Sequence, residues 1–374
     1  MNKQKTPFLR VVKRDSINKK KLIFIYFSAI ISALSIGAIL LLSLDVNPIE
    51  FYRDMLTVGM INNPNPLKCI ENLIKLFVPL LITSVALSMS FKMRFWNIGG
   101  EGQFIVGAIA ASTIAYKMGN SIPSFFLLIL MAVCGMLAAG IYGGLVAVLK
   151  VKFGTNETLI TLMLNYVALY LLFYLGETKA DWNFFLNPES MRPLFAPFPA
   201  AAAMPIIKIG DFSLNISLII ALLICVLVYI YLKYTKHGYE ISVVGDSAGT
   251  AQYAGMKVNK IVVRTMFISA ALIGLSGTFY VSTSSILSTS VTNNVGWNGI
   301  IVAWLSKLNT FGIIATTLLI SILQYGCQNA SVQFSGLDSH FADLLQGIIL
   351  FSVLIADFLI RFRVIARKNK ESEA

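Results

Sequence analysis

Long runs of apolar residues dominate the chain, and each is close to the length of a membrane-crossing helix. About 20 apolar residues are needed to cross the hydrocarbon core of a bilayer. Nine runs are predicted to be transmembrane helices: Leu22–Leu44, Ile70–Phe91, Ile98–Tyr116, Ser124–Leu149, Thr158–Leu175, Ser213–Leu232, Val262–Thr283, Phe311–Gln328 and Ala342–Ile360. The pattern therefore predicts an all-α integral membrane protein.

A tenth span is predicted between Thr283 and Phe311. Its apolar part, Ile300–Leu305, is too short to cross the membrane alone, so the predicted helix is extended over the weakly polar residues before it, to Ser290–Ser306. Polar residues at that depth are tolerated where they face protein or a water-filled path. We therefore predict about ten transmembrane helices within residues 22–360.

Composition agrees with this prediction. Hydrophobic residues make up 56% of the 374 positions and charged residues 13%, about half the charged share of a soluble domain. The formal net charge is +12, but the positive charges form no face of a soluble domain, so no nucleic-acid partner is predicted. Four scattered cysteines and two histidines build no disulfide framework or zinc cluster, so no metal site is predicted.

The basic residues predict the orientation of the helices, because cytoplasmic loops carry an excess of Lys and Arg. With ten spans and the N-terminus inside, most of the 30 Lys and Arg residues fall in the N-terminal tail 1–21, the short inner turns, the loop 233–261 and the C-terminal tail 361–374. Nine spans would put one basic tail outside. Both termini are therefore predicted to be cytoplasmic, the loop 176–212 external, and the protein a multi-pass protein of the cell membrane.

No catalytic motif accompanies the apolar runs. The sequence contains no G-x-x-x-x-G-K-[ST] nucleotide loop, no G-x-S-x-G elbow and no H-E-x-x-H pair. No catalytic residue and no cofactor is therefore predicted in this chain. A transporter, a channel or a structural membrane subunit remains, and a channel is disfavoured because no filter sequence is evident.

Four ionisable residues fall within or beside the apolar runs. A charge at the bilayer centre costs about 2.5–3.5 kcal/mol on insertion scales, so such residues usually face the bundle or a cavity. Glu101, in the glycine-rich FWNIGGEGQF, is interpreted either as a cap of helix N–H groups or as a substrate contact. Glu157 is interpreted as a structural cap, and Asp343 and Asp357 as solvated or paired with the adjacent tail.

Two polar or small-residue patterns predict helix contacts. Gly135, Ala139 and Gly143 recur at four-residue spacing, which is typical of the surface along which membrane helices pack. Asn165 places an amide in mid-span, so its helix is predicted to face a neighbouring helix or the transport path.

The inner loop carries the sequence GYEISVVGDSAGTAQYAGMKV and predicts one or two short helices. Ser247 is a suitable N-cap and Gly255 a suitable stop for a helix between them. Such a helix outside the membrane is suited to docking into a groove on a soluble partner, and an ordinary solvated linker is the alternative. The residues alone leave both open.

Six stretches of the sequence, including two quoted above, occur in the following order along the chain: FWNIGGEGQFIVGA (95–108), GTNETLITLMLNYVALYL (154–171), GYEISVVGDSAGTAQYAGMKV (238–258), GLSGTFYVS (274–282), GWNGIIVAWLSKLNTFG (296–312) and LQGIILFSVLIADF (345–358). Together they resemble permease subunits of bacterial ATP-binding-cassette (ABC) importers in the branched-chain amino-acid and simple-sugar superfamily, most of all its nucleoside-uptake branch. The chain departs from the family at Ser247-Ala248, where Asn-Pro is usual, at Gln252, where a basic residue is frequent, and at Asn298, where an acidic residue is frequent.

The resemblance implies the importer permease fold with ten helices and a pair of permeases, commonly two different chains. It also implies two cytoplasmic ATPase subunits that bind ATP and Mg²⁺, and an external lipid-anchored substrate-binding protein. The inner loop would then be the coupling helix that receives motion from the ATPases. The coupling residues implied in this way are Gly245, Ser247, Ala251, Tyr253, Ala254 and Gly255.

The functional hypothesis is ATP-driven import of nucleosides by alternating access. The residues expected to line the path are polar or aromatic groups that can contact a sugar hydroxyl or a base: Asn97, Glu101, Gln103, Asn165, Trp297 and Asn298. One alternative is an ABC permease for a simple sugar or another small solute. The other is a proton-coupled secondary transporter that uses Glu101 as its proton site.

Overall fold

A computed structural model describes residues 9–13, 18–60, 65–334, 337 and 339–366. The helices in this part of the chain are α1 (Lys19–Leu42), α2 (Pro48–Leu56), α3 (Pro66–Lys92), α4 (Gly100–Met118), α5 (Ser124–Phe153), α6 (Glu157–Glu177), α7 (Ile216–Tyr234), α8 (Lys236–Asp246), α9 (Ala248–Tyr253), α10 (Val258–Ser284), α11 (Val295–Leu305), α12 (Thr310–Gln333) and α13 (Ser339–Arg361). Much of the two predicted basic tails, 1–8 and 367–374 included, lies outside the described residues.

Each of the nine apolar runs contains a long helix, as predicted, although the run Ser213–Leu232 begins in a strand and its helix starts at Ile216. Eight of the described helices (α1, α3, α5, α6, α7, α10, α12 and α13) are long and apolar enough to cross a membrane. The ninth run forms α4, which has 19 residues and carries polar and glycine residues in its first turn. The total of about ten spans and the cytoplasmic placement of both termini stay predictions.

The predicted span Ser290–Ser306 is wrong in length, because α11 has only 11 residues. Asn293 and Asn294 adopt left-handed backbone conformations with φ of 43° and 60°, which end any helix that would run through them. Asn is one of the few residues that tolerates this conformation. The polar stretch before α11 therefore forms turns instead of extending the helix.

Two small antiparallel sheets add to the helices, and the apolar pattern did not indicate either. Strand β1 (Leu9–Lys13) pairs with β4 (Phe362–Ala366), and β2 (Ile206–Ile209) pairs with β3 (Phe212–Asn215). The second pair is a hairpin whose turn contains Gly210 at φ +61°, a conformation that glycine adopts without steric cost.

The chain divides into two compact units. The first contains Met1–Asn62 and Leu323–Ala374. Within it α1 packs against α13, and the fully buried Phe51 of α2 contacts the rings of Phe334 and Phe341 at centroid distances of 5.8 and 6.4 Å. Aromatic and helix–helix packing therefore holds this unit.

The second unit, Asn63–Ile322, is built around α3, α4, α5 and α10. Gly135, Ala139 and Gly143 face α10, as the packing prediction required: a Cβ on Gly274 would lie 2.4 Å from both the Gly135 carbonyl oxygen and the Ala139 Cβ. Only glycine fits at such a helix contact. Backbones therefore meet almost directly at this crossing.

Buried hydroxyl groups fasten α10 to α3. Ser276 Oγ donates to the Pro79 carbonyl at 2.8 Å, and Ser269 Oγ donates to the Ala86 carbonyl at 2.7 Å. Hydrogen bonds of this kind contribute about 0.6 kcal/mol each between transmembrane helices. They fix the register of the two helices that flank the candidate site.

The predicted external loop 176–212 is partly folded into the second unit. Phe185, Phe195 and Phe198 are buried, and the Phe198 ring meets the Tyr116 ring edge-on at 4.9 Å. This segment therefore covers one end of the helices, while Trp182 remains exposed.

Candidate functional site

The first turn of α4 is preceded by an irregular segment that two buried amides hold in place. Asn97 and Gln103 hydrogen-bond reciprocally: Asn97 Nδ2 donates to Gln103 Oε1 at 3.1 Å, and Gln103 Nε2 donates to Asn97 Oδ1 at 3.0 Å. Asn97 Oδ1 also accepts the Gly99 N–H at 3.0 Å. Because buried polar groups need such partners, the pair stabilises the start of α4.

Asn165 on α6 completes this arrangement from the side. Its Oδ1 accepts the Gly102 N–H at 2.8 Å, and its Nδ2 donates to the Ile98 carbonyl at 2.9 Å. The mid-span amide thus faces a neighbouring helix, one of the two placements predicted for it. It supplies an acceptor and a donor to backbone groups that a helix start leaves unpaired.

Glu101 connects α4 to α11. Its side chain is 7% exposed, and Oε1 accepts the backbone N–H groups of Gly296 at 2.9 Å and Trp297 at 3.3 Å. The capping interpretation is therefore confirmed, although the capped helix is α11 and not α4, where Glu101 itself lies. A carboxylate at a helix N-terminus is stabilised by the helix dipole and the free N–H groups.

The second carboxylate oxygen of Glu101 differs from the first. Oε2 is enclosed and has no hydrogen-bond partner in the described part of the chain. The Thr292 side chain also interacts with the carboxylate, so Glu101 draws the turn before α11 as well as its first residues towards α4. Substrate contact by this residue stays a prediction.

The two α11 residues predicted for the path differ in exposure. Trp297 is 42% exposed, whereas Asn298 is 4% exposed. Through Glu101 and the amide bonds, the structure brings all six predicted path residues to one place. We call this set the α4–α11 junction: Asn97, Glu101, Gln103, Asn165, Trp297 and Asn298. Its role in passing a substrate stays a prediction.

Glu157, the second acidic residue singled out in the sequence, has a structural role at the start of α6. Glu157 lies in the first turn of α6, where a carboxylate is favoured as predicted, but the hydrogen-bonding cap is Asn156, which accepts the N–H groups of Thr158 and Leu159 at 3.0 and 3.2 Å. Glu157 instead pairs with Lys150 at 2.5 Å.

The acidic residues near the last helix follow the interpretation given to them. Asp357 pairs with Arg361 at 2.7 Å, one turn along α13. Asp343 is exposed at the start of the same helix. Neither residue therefore indicates a buried site.

The inner loop folds into α8 and α9, as predicted. Ser247 Oγ accepts the Thr250 N–H at 3.2 Å and so caps α9, and Gly255 follows the helix at φ +75°. Both local signals, the Ser N-cap and the left-handed glycine stop, are therefore confirmed.

The six coupling residues fall into two groups. Gly245 and Ala251 are buried, whereas Ser247, Tyr253, Ala254 and Gly255 are exposed, Tyr253 at 96%. A Cβ on Gly245 would lie 2.1 Å from the Lys92 carbonyl oxygen. Gly245 therefore lets α8 approach the end of α3, and the exposed group forms the outer surface of the loop.

A cavity of about 410 Å³ lies beside this contact, lined by the ends of α3 and α5, by the α8–α9 connection and by the start of α10. It includes Arg94 and Lys150 and one carboxylate, Asp246. The loop is thus seated on several long helices at once, a position from which its movement would reach each of them.

Sequence reasoning missed an ion pair that also anchors the loop. Arg264 Nη2 on α10 donates to Glu240 Oε2 on α8 at 2.8 Å. This hydrogen bond, more than the surrounding positive charges, lowers the pKa of Glu240 below its usual value. The sequence does place opposite charges on either side of the inner loop, Glu240 before it and Arg264 after it. Spacing alone does not predict that two residues 24 positions apart form a pair.

Comparison with known proteins identifies the class. The family described as "Branched-chain amino acid transport system / permease component" matches residues 69–354, well over half of the chain. The chain belongs to this family. It is therefore the membrane-spanning permease subunit of an ABC transporter, a multi-pass protein of the plasma membrane and not itself an enzyme, and it works with ATPase and substrate-binding partners.

Individual relatives extend over most of the chain. It is 27% identical to the nucleoside ABC transporter permease protein NupB of Lactococcus lactis subsp. cremoris, over 96% of this chain and 97% of that protein. It is 29% identical to the guanosine ABC transporter permease protein NupP of Bacillus subtilis, over 79% of this chain and 84% of that protein. A glucose ABC transporter permease protein of Haloferax volcanii is 25% identical over 90% of this chain and 88% of its own length.

Proposed function

We propose that this permease imports nucleosides, with substrate delivered from outside by a lipid-anchored binding protein. The observation that carries the proposal is the similarity to nucleoside and guanosine permeases over most of both chains. A second candidate is a simple sugar, which the similarity to a glucose permease favours. Base recognition distinguishes the two, because only a nucleoside presents an aromatic ring.

The α4–α11 junction is proposed as the part of the path that contacts substrate. Trp297 offers an exposed aromatic face on which a base can stack. Asn97, Gln103 and Asn165 already use their amides to hold α4, so their proposed contribution is to position the junction. Glu101 is proposed to hold α11, and with it Trp297, at a fixed distance from α4.

The coupling loop is proposed to dock on an ATPase subunit through its exposed residues, Ser247, Tyr253, Ala254 and Gly255. ATP and Mg²⁺ would be bound by that partner, since this chain has no nucleotide-binding motif. A second, different permease chain is proposed to complete the pair. The departure at Ser247-Ala248 keeps a capping hydroxyl, so the loop retains the shape that docking needs.

Uptake by cells that express the whole transporter tests substrate and energy source together. We expect labelled guanosine or uridine to accumulate, unlabelled nucleosides to compete, and excess ribose or glucose to compete weakly. Uptake should stop when this chain is deleted or when the partner ATPase loses its phosphate-binding lysine. Strong competition by free sugars with none by nucleosides would favour the sugar candidate.

Two further results would count against the proposal. Uptake that persists without the ATPase and collapses with an uncoupler would point to proton-coupled transport. Unchanged nucleoside uptake after deletion of this chain would remove it from the pathway altogether.

The role of Trp297 is tested separately from substrate identity. We expect Trp297→Leu to raise the KM for nucleoside uptake at least several-fold without lowering the amount of folded protein. Trp96→Leu is the matched control, because Trp96 is also exposed but stacks on Trp304, at the other end of α11. Equal effects of the two substitutions would contradict a direct contact by Trp297.

A further inference from the structure

A second cavity, of about 440 Å³, lies beside the coupling loop and is lined mainly by positive charges. Its walls come from α8, from Ala254, Gly255 and Met256 after α9, and from the first turns of α10. Ala254 and Gly255 also belong to the proposed ATPase contact, so the cavity borders that contact. Four basic residues, Lys236, Lys257, Lys260 and Arg264, line it together with one carboxylate, Glu240. The lining therefore has a strong excess of positive charge, which favours an anionic ligand.

The single carboxylate of the lining does not neutralise the lysines. Glu240 is engaged by Arg264 at 2.8 Å, in a pair whose two side chains are largely shielded from solvent. Lys257 and Lys260 are exposed, and among the described residues neither is within 4 Å of a carboxylate oxygen. Their ammonium groups are thus available to a ligand.

The cavity also lies where two long helices end. Lys236 lies two residues after the end of α7, and Lys257 directly precedes α10. Both helices are long and apolar enough to cross a membrane. Tyr239 lines the cavity and is exposed, and tyrosine is enriched at the depth of the lipid headgroups. Basic pockets between transmembrane helices on the cytoplasmic side are suited to anionic headgroups.

We propose that this cavity binds a phosphate-bearing anion, namely the headgroup of an anionic phospholipid, through Lys236, Lys257 and Lys260. A phosphate oxygen accepts charge-assisted hydrogen bonds from ammonium groups, and the Arg264–Glu240 pair stays intact behind it. Free phosphate has the same chemistry and is distinguished by experiment. Because the coupling loop forms part of the wall, bound headgroups would stabilise its position whatever substrate is transported.

The test compares two double variants of the full chain in lipid nanodiscs. Lys257→Gln/Lys260→Gln removes two cations of the cavity. Lys152→Gln/Lys307→Gln removes two exposed cations that do not line it and serves as the matched control. Nanodiscs of phosphatidylcholine with and without phosphatidylglycerol are used, and native mass spectrometry counts the phosphatidylglycerol molecules retained by each protein.

We expect wild type and control to retain one phosphatidylglycerol and the cavity variant to bind it about tenfold more weakly, the effect of roughly 1.4 kcal/mol. In phosphatidylcholine alone, a rise in melting temperature with inorganic phosphate that the cavity variant lacks would identify free phosphate as the ligand of the same site. Equal retention by all three proteins with no phosphate response would overturn the proposal. Loss of ATPase binding by the cavity variant, with anion binding unchanged, would also overturn it.

Discussion

Glu101 and Gly296 are 195 positions apart in the sequence, yet the Glu101 carboxylate accepts the Gly296 backbone N–H at 2.9 Å. This bond joins the first turn of α4 to the first residues of α11. Only 11 residues form α11, and the carboxylate adds a hydrogen-bonded link at its N-terminus to the packing of α11 on α3. The contact is the central structural link of the α4–α11 junction.

Removal of this carboxylate is expected to destabilise the junction. Glu101→Ala leaves two buried backbone N–H groups without their acceptor, at a cost of about 1–3 kcal/mol for each unsatisfied group. We expect a lower melting temperature of the purified protein and a strongly reduced uptake rate. Glu177→Gln, which changes an exposed acidic residue at the end of α6, is the control and should behave like wild type. Full activity and stability of Glu101→Ala would show that α11 is held by other contacts.

Gly245 is expected to be intolerant of any side chain. In Gly245→Ala the new Cβ would lie 2.1 Å from the Lys92 carbonyl oxygen, so α8 must move away from α3, at a cost typical of overpacking, about 1–3 kcal/mol. Thermal melting and co-purification with the ATPase measure this effect. Gly249→Ala is the matched control, because its Cβ has a nearest neighbour at 3.8 Å. If both variants assemble equally well, the close packing of α8 does not matter for coupling.

Substitution of Gly255 is expected to change the backbone conformation of the loop without changing its packing. Alanine at φ +75° costs roughly 1–2 kcal/mol of local strain, although no atom lies within 4 Å of its Cβ. We therefore expect Gly255→Ala to alter the end of α9 and lower the rate of substrate-stimulated ATP hydrolysis by the assembled complex. Gly210→Ala imposes comparable strain at φ +61°, also in open space, but in the β2–β3 hairpin. A defect shared by both variants would indicate general instability.

The Glu240–Arg264 pair predicts an acid-dependent loss of stability. Because the hydrogen bond from Arg264 lowers the pKa of Glu240 in the folded protein, the stabilisation is complete above the unfolded value of about 4.3. It is lost as the pH falls through the lower folded pKa. His237 and Lys236 act on Glu240 in the same direction.

Melting temperatures of wild type and Glu240→Gln check this prediction. At pH 7 the variant should melt at a lower temperature, and the difference should shrink as the pH falls below about 4. A difference that is constant with pH would mean that the substitution acts through packing instead of charge.

Local signals in the sequence predicted much of the fold, whereas contacts between distant elements were not predictable. The apolar runs indicated the long helices, and Ser247 and Gly255 indicated both ends of α9, because caps and stops act within one helical turn. The start of α11 is set by the left-handed backbone conformations of Asn293 and Asn294. Hydropathy does not predict backbone conformation, so the predicted span was too long. The Asn293-Asn294 dipeptide was the available signal, because asparagine is enriched in turns and tolerates the left-handed conformation.

At the candidate site, residue type was informative and partner identity was not. The amide of Asn165 was correctly expected to face another group, but its bonds to Gly102 and Ile98 arise only when α6 packs on α4. Capping was one of two interpretations of Glu101, and the helix that it caps is determined by tertiary packing. A sequence identifies groups that need partners, and the fold determines which partners they have.

The crossing of Gly107 and Gly274 has a consequence for how the protein changes shape. A Cβ on Gly107 would lie 2.4 Å from the Gly274 Cα, so there the main chains of α4 and α10 touch without any intervening side chain. Because no side chain lies between the two backbones, a change of rotamer cannot compensate for a change in the distance between these helices. We therefore expect the spacing of α4 and α10 at this crossing to stay constant through a transport cycle, with the changes in shape falling on helices whose contacts are made by longer side chains.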